Sequence, residues 1–162
     1  MKKLKPSSFR RGDEVKQLRL TYHGGPLAPV SSDRTEKLRV GDRAPDAAVT
    51  TAAGMSTRLY EILCGPHFTA IAYGPDAAQA LDHLDWPHTG AQLTRLTVGA
   101  SSDRADLVLI DSGHIFENIY GLTGDTLLLI RPDGYLGHIA TSDYLESIRT
   151  AARSLTPIGA RV

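Results

Sequence analysis

The segment TLLLIRPDGYLGHIA, residues 126–140, decides the fold. Its first five residues, Thr126–Ile130, are apolar or β-branched throughout, which is typical of a strand buried in a core. Residues 131–134 (RPDG) form a turn, because Pro132 fixes φ and Gly134 accepts a positive φ. Residues 135–140 then return as the second strand of a hairpin.

Alternating strands and helices precede this hairpin, and one helix follows it. The predicted strands are 47–51, 68–73, 93–98 and 107–111, the last of which is a strand or the entry to one. The predicted helices are 57–63, 77–84 and 115–120. A last helix, capped by Ser142 or Asp143, ends near Leu155. This order predicts an α/β fold, in which a mixed central sheet has helices on both faces and ends in a β-hairpin plus helix.

Composition divides the chain into three parts. Residues 1–40 are expected to be a basic, partly extended N-terminal arm and linker, with six basic residues among the first sixteen and a short extended segment at 18–22. The basic stretch fits either a basic arm or a poorly ordered terminus. We expect the folded domain to span 41–156 and a tail to follow at 157–162.

Charge and cysteine content exclude several classes of function. The 162 residues contain 18 Lys and Arg against 18 Asp and Glu, and this balance argues against nucleic acid as a partner. A single cysteine excludes an internal disulfide, a Cys-x-x-Cys pair and a multi-cysteine zinc site. No apolar run approaches the roughly 18 residues of a membrane span, and no signal peptide opens the chain. We therefore expect a cytoplasmic protein without a membrane partner.

Few residues suggest catalysis or metal binding. The phosphate-binding patterns G-x-G-x-x-G and G-x-x-x-x-G-K-[ST] are absent, as are H-E-x-x-H and G-x-S-x-G. His83, Asp85 and His88 fit either a weak metal site or solvated loop residues. Asp111 and His114 have the composition of a catalytic pair but lack a neighbouring nucleophile. We therefore expect no catalytic and no metal-binding residue.

The single cysteine and one aromatic dipeptide remain. Cys64 follows a predicted helix, whose C-terminal dipole disfavours a thiolate, so a half-buried structural thiol is expected. Trp86 and Pro87 supply aromatic and apolar surface beside a loop, which suits an interface anchor or satellite core packing.

Three segments together resemble a known family. They are LRVGDRAPDA (38–47), RLYEIL leading into HFTAIAYG (58–74) and LLLIRPDGYLG (127–137), and QLRLTY (17–22) fits the same pattern. In this order they resemble the C-terminal thioredoxin-like domain of FAD-dependent aromatic hydroxylases, which include phenol 2-monooxygenase and the polyketide and rifampicin hydroxylases. The resemblance implies that FAD and substrate are held by two domains that precede this one in such hydroxylases. No segment of this chain matches those domains, so we expect this chain to bind no cofactor.

The same resemblance shows what a redox-active thioredoxin has and this chain lacks. The thiols of active members lie where the first long core strand turns into its helix, and here residues 73–78 read YGPDAA, without sulfur. Their cis-proline precedes the next core strand, where this chain has Asp125. Dithiol exchange needs both thiols, so the resemblance implies a redox-silent domain.

Three functions remain open from the sequence. The first is a contact module that forms a homodimer or binds a flavin-dependent hydroxylase. The second is a small enzyme or binding protein for an aromatic or polyketide intermediate, with a cleft at Tyr73, Asp76, Asp125 and Thr126. The third is a thiol peroxidase that uses Cys64. If the chain is an enzyme, the resemblance implies an oxidoreductase of the FAD-dependent monooxygenase type, although the chain alone is not expected to be catalytic.

Overall fold

The computed structural model describes residues 23–25, 33–87 and 90–155. Seven strands and four helices lie in this part of the chain. The strands are β1 (Ala48–Thr51), β2 (Ser56–Arg58), β3 (Phe68–Tyr73), β4 (Leu93–Val98), β5 (Leu107–Ile110), β6 (Thr126–Ile130) and β7 (Leu136–Ala140). The helices are α1 (Leu59–Leu63), α2 (Pro75–Asp82), α3 (Ile115–Tyr120) and α4 (Tyr144–Leu155).

All seven strands form one mixed sheet in the order β2-β1-β5-β4-β3-β6-β7. The pairs β3–β4 and β4–β5 are parallel. The other pairs are antiparallel, including the β6–β7 hairpin that the sequence predicted. The carboxyl ends of β3, β4 and β5 therefore meet at one edge of the sheet.

Helices cover both faces of the sheet. Because successive side chains of a strand point to opposite faces, β3 contributes to two cores. Ile71 lies in the core that contains buried residues of α1 and α3, whereas Ala70 and Ala72 lie in the core that contains buried residues of α2 and α4. The expected α/β class, with its mixed sheet and two helical layers, is confirmed.

The predicted helix 57–63 is wrong at its first two residues. Residues 56–58 form β2, where Thr57 pairs with Val49 of β1, and only Leu59–Leu63 is helical. A partner strand nearby in the fold thus overrides the short helical pattern. The helix predicted at 77–84 begins earlier, at Pro75, because proline is well suited to the first helical position.

Part of the expected linker is docked on the domain. The Thr35 hydroxyl donates to the carbonyl oxygen of Tyr120 at 2.5 Å, and the Glu36 N–H donates to that of Gly121 at 3.0 Å. Val40 is buried in the core with α1 and α3. The extended segment predicted at 18–22 and the tail at 157–162 lie outside the described residues.

None of the helices in the described residues has the length and hydrophobicity needed to cross a lipid bilayer.

Candidate functional site

The start of α2 is the first part of the candidate site. β3 ends at Tyr73, and Gly74 follows with φ +85° and ψ 165°, a conformation that only glycine adopts readily. Pro75 then opens the helix. We refer to residues 74–76 together with Asp125 as the α2 entry.

Asp125 closes the α2 entry from the neighbouring strand. Its carboxylate accepts a hydrogen bond from the Asp76 N–H at 2.6 Å, so it acts as an N-cap supplied from 49 residues away. The contact is tight, since a Cβ added to Gly74 would lie 2.2 Å from an Asp125 carboxylate oxygen. The Tyr144 hydroxyl donates to the Asp125 carbonyl oxygen at 3.2 Å and fixes the backbone there.

This closure has a chemical consequence. The N–H groups at a helix start lower the pKa of a neighbouring thiol and stabilise its thiolate. At the α2 entry the carboxylate of Asp125 already accepts one of these N–H groups. A second anion at this place would find this N–H group already hydrogen-bonded and would be repelled by the Asp125 carboxylate.

Tyr73 extends the site to the other face of the sheet. Its ring stacks on Phe116 with a centroid separation of 6.2 Å. Burial, together with a hydrogen bond to Glu117, raises the pKa of Tyr73 to about 12. The phenol is therefore a proton donor that stays neutral at physiological pH.

A polar cluster surrounds the Glu117 carboxylate. Asp111 accepts hydrogen bonds from the N–H groups of Phe116 at 2.8 Å and Glu117 at 3.0 Å. Nδ1 of His114 lies 2.5 Å from a Glu117 oxygen, and this contact, with the Tyr73 hydrogen bond, lowers the pKa of Glu117. The ligand-type atoms of Asp111, His114 and Glu117 lie within 4.8 Å of one another.

Sequence reasoning identified two members of this cluster and missed the third. Asp111 and His114, which have the composition of a catalytic pair but lack a neighbouring nucleophile, are linked through Glu117. Glu117 hydrogen-bonds His114 and donates its N–H to Asp111. The three-residue spacing of Asp111, His114 and Glu117 was the available signal. As an assembly, the cluster orders the turn that leads into α3.

The four predicted cleft residues lie close together but line different surfaces. Tyr73 and Thr126 are direct partners in the β3–β6 register, and Asp76 contacts Asp125. Thr126 is buried and lines a cavity of about 430 Å³, together with residues 34–36 and 121–123. Asp76 lines another cavity, of about 610 Å³, between α2 and α4.

Cys64 is not the half-buried thiol that its position suggested. It is exposed, because α1 buries only Leu59 and Leu63 and ends at this residue. Cys64 shares a small cavity of about 220 Å³ with the 132–134 turn, at the amino end of β3. The whole length of β3 therefore separates the cavity that holds the thiol from the α2 entry.

For His83, Asp85 and His88 the sequence leaves open a weak metal site or solvated loop residues, and it predicts no metal-binding residue. His88 lies outside the described residues. His83 is exposed at the C-terminus of α2, and an Asp85 oxygen lies 3.7 Å from the Arg104 guanidinium.

Comparison with known proteins gives the family context for this geometry. Residues 41–155 match the family described as HcaD C-terminal domain. A flavin-dependent monooxygenase from Mycobacteroides abscessus is 30% identical over 129 residues, which is 80% of this chain and 21% of that protein. The chain thus spans about a fifth of the length of this relative.

Solved structures show the same fold inside larger proteins. The flavin-dependent monooxygenase PieE, in complex with FAD and substrate, aligns with a TM-score of 0.58 and 21% identity over 86% of this chain and 25% of its own. Aklavinone-11 hydroxylase, with FAD and aklavinone, aligns with a TM-score of 0.62 and 21% identity over 85% and 26%, respectively.

A smaller protein shows the fold on its own. A peroxiredoxin-like protein from Aquifex aeolicus aligns with a TM-score of 0.53 and 15% identity over 72% of this chain and 88% of its own. The expected thioredoxin-like fold and the resemblance to the C-terminal part of flavin-dependent hydroxylases are both confirmed. The chain belongs to the HcaD C-terminal domain family.

Proposed function

We propose that this chain is a redox-silent contact module of flavin-dependent aromatic hydroxylases, which acts by self-association or by packing against the FAD-holding part of such an enzyme. The closure of the α2 entry by the Asp125 carboxylate is the observation that carries this proposal. It places a backbone-bonded carboxylate where a redox-active relative of this fold would need a thiolate.

The position of the single cysteine supports redox silence. Thiol–disulfide exchange requires an attacking thiolate and a second sulfur within bonding distance. Cys64 is the only cysteine in the sequence and lies at the opposite end of β3 from the α2 entry. A peroxidase reaction at Cys64 would therefore use none of the groups collected at the α2 entry.

The same edge of the sheet does not fit FAD. Dinucleotides bind α/β sheets at the carboxyl ends of the strands, with the pyrophosphate on a helix N-terminus. Here that edge carries the carboxylates of Asp76, Asp111, Glu117 and Asp125, and Asp125 caps α2. Four acidic side chains would repel a pyrophosphate. We therefore propose that FAD is held outside the described residues.

Exposed apolar side chains support a contact role. Met55 is 65% exposed, Ile110 47% and Ile115 42%. Ile110 pairs with Thr50 on β1, next to the β1–β2 turn that carries Met55, and Ile115 begins the helix that follows β5. Large exposed apolar side chains fit a surface that a partner covers.

Light scattering coupled to size exclusion tests the contact role. The purified chain is run alone and mixed with the Mycobacteroides abscessus monooxygenase from which the matching fifth has been removed. A homodimer, or a complex with the flavin protein, supports the proposal. A chain that stays monomeric in both runs contradicts it.

Turnover assays on the same sample test redox silence and the absence of a flavin site. We expect no peroxide consumption and no insulin disulfide reduction above the blank, and no absorbance at flavin wavelengths after incubation with FAD and gel filtration. Thiol turnover that Cys64→Ser abolishes would support a peroxidase instead. Retained flavin would refute the argument from the acidic edge.

A further inference from the structure

Three guanidinium groups meet at the far end of α2. They donate to the carbonyl oxygens of the last helical residue and of the two residues after it: Arg104 to Asp82 at 3.0 Å, Arg149 to His83 at 3.2 Å and Arg95 to Leu84 at 3.3 Å. The last carbonyls of a helix have no partners within it, so the bonds to Asp82 and His83 cap α2, and the bond to Leu84 holds the segment that follows. These bonds use only one donor of each group, however, and a guanidinium has five.

Two of these arginines line a cavity. Arg95, Arg104 and Trp86 border a space of about 470 Å³ beside β4, which we call the Trp86 cavity. Its volume lies within the range of small-molecule sites. Its other lining residues are Asp85, Pro87, Gly90, Gln92 and Leu93.

Arg95 is incompletely satisfied at this cavity. Its Nε atom is buried and has no hydrogen-bond partner among the described residues. Asp106 accepts the backbone N–H of Arg95 at 2.7 Å rather than its guanidinium. Burial, and then the nearby charge of Arg104, lower the pKa of Arg95. An anion beside the two guanidiniums would favour the charged form of Arg95 and so offset both its burial and the repulsion from Arg104.

The carboxylates around the Trp86 cavity leave room for such an anion. Asp82 accepts hydrogen bonds from the Ser102 hydroxyl and the Arg104 N–H, and Asp106 from the Arg95 N–H. Asp85 approaches Arg104 only at 3.7 Å, and its side chain is 85% exposed. An incoming oxyanion would therefore compete with one weakly held carboxylate.

Trp86 supplies a fixed aromatic wall. Its indole N–H donates to the Ala91 carbonyl oxygen at 2.9 Å, and its ring packs against Phe68 with centroids 5.1 Å apart. A wall held at both its polar and its apolar side is suited to stack a flat ligand.

We propose that the Trp86 cavity binds a planar ligand that carries an oxyanion, a carboxylate or a phosphate, with the ring against Trp86 and the charge on Arg95 and Arg104. This site lies at the opposite end of α2 from the α2 entry and goes beyond the contact function proposed above. The carboxylates at the α2 entry would repel such an anionic ligand, so the two ends of α2 differ in what they can bind.

The sequence offers a direct probe, because Trp86 is its only tryptophan. The full chain is titrated with benzoate, phenyl phosphate, inorganic phosphate and benzyl alcohol, while Trp86 fluorescence and binding heat are recorded. We expect saturable binding of at least one aromatic anion, and the first two titrations distinguish a carboxylate from a phosphate ligand. Inorganic phosphate and the neutral alcohol should each bind at least about tenfold more weakly, since each lacks one of the two recognised features.

Substitutions of opposite sign test the assignment. Arg104→Gln, at a half-exposed side chain, should weaken binding about tenfold, and Arg95→Lys should also weaken it, because lysine lacks the planar guanidinium. Asp85→Asn should tighten binding severalfold, because it removes the competing carboxylate. Arg149→Gln is the matched control, because the Arg149 guanidinium also donates to a carbonyl oxygen at this end of α2. This substitution should leave binding unchanged.

Three results would overturn the proposal. They are the lack of saturable binding of either aromatic anion, binding that neither Arg104→Gln nor Arg95→Lys weakens, and weaker binding by Asp85→Asn. Binding of inorganic phosphate as tight as that of phenyl phosphate would refute the role of Trp86 as a stacking wall. None of these results depends on the oligomeric state that tests the contact function.

Discussion

The two ends of α2 meet opposite kinds of side chain. At the start, the carboxylate of Asp125 accepts the Asp76 N–H at 2.6 Å and fills the space beside Gly74. At the end, Arg95 and Arg104 donate to carbonyl oxygens, yet Arg95, which lines a cavity of about 470 Å³, has an Nε atom with no hydrogen-bond partner among the described residues. Both arrangements complement the helix dipole, but only the second leaves a buried hydrogen-bond donor without a partner among the described residues.

This difference separates stabilising charges from binding charges. A charge whose partners are all supplied by the chain holds the fold together and offers nothing to a ligand. A charge with an unused donor beside an open space can recognise one. The start of α2, where the thioredoxin comparison would place redox chemistry, is of the first kind. The following substitutions test how completely it is closed.

Gly74→Ala should have the largest effect, a loss of about 2–4 kcal/mol in the free energy of unfolding. The backbone at this position has a positive φ that is unfavourable for alanine, and the new methyl group would lie 2.2 Å from an Asp125 oxygen. Urea unfolding followed by circular dichroism measures the loss.

Gly54→Ala is the matched control for this substitution. Gly54 also has a positive φ, +82°, but apart from its two chain neighbours no atom of the described residues lies within 4 Å of its added Cβ. We expect a loss of about 1 kcal/mol, from backbone strain alone. Equal losses for the two glycine substitutions would mean that the side chain of Asp125 does not press on Gly74.

Asp125→Ala should lower the free energy of unfolding by about 1–2 kcal/mol, the usual cost of a lost N-cap. Asp125→Asn should cost less, because its amide oxygen still accepts the Asp76 N–H. The same unfolding experiment compares the two variants. An unchanged stability for the alanine variant would show that this carboxylate does not cap α2.

Tyr73→Phe should cost about 1 kcal/mol at neutral pH, because it removes the hydrogen bond to Glu117. The folded pKa of Tyr73, about 12, lies above the unfolded value of about 10. Between these values the unfolded chain loses the proton that the folded chain keeps, so wild-type stability falls as the pH rises.

The pH dependence of that difference provides the check. The advantage of the wild type over Tyr73→Phe should be complete at about pH 8 and should shrink by about pH 11. The other tyrosines are common to both proteins and cancel in the comparison. An advantage that stays constant across this range would contradict the raised pKa of Tyr73.

Cys64→Ser should have the smallest effect, below about 0.5 kcal/mol, because the side chain is exposed at the end of α1. Unfolding of the two proteins under reducing conditions measures it. A larger loss in the free energy of unfolding would support the structural role that the sequence suggested for this thiol.

Much of the fold follows from local patterns. The strands Phe68–Tyr73, Leu93–Val98 and Thr126–Ile130 match their predicted bounds, because each is rich in apolar and β-branched residues, with Arg95 as the one charged residue among them. The helix Ile115–Tyr120 also matches, and it ends at Gly121, which has a positive φ. β2 was missed because its three residues are specified by pairing with β1 rather than by their own pattern.

The candidate site was predictable only in part. The position of Asp125 beside the helix start followed from the thioredoxin resemblance, but its capping hydrogen bond joins residues 49 apart in the chain, which no local pattern encodes. The convergence of Arg95 and Arg104 on Trp86 depends on the path of the loop after β4. The exposure of Cys64 depends on which residues α1 buries, and a five-residue helix has too short a pattern to show this.

A double-mutant cycle of Gly74→Ala and Asp125→Ala most directly tests whether Asp125 closes the α2 entry. If it does, removal of the carboxylate makes room for the new methyl group, and the penalty of Gly74→Ala falls by about 1–2 kcal/mol in the Asp125→Ala background. The same penalty in both backgrounds would contradict the closure.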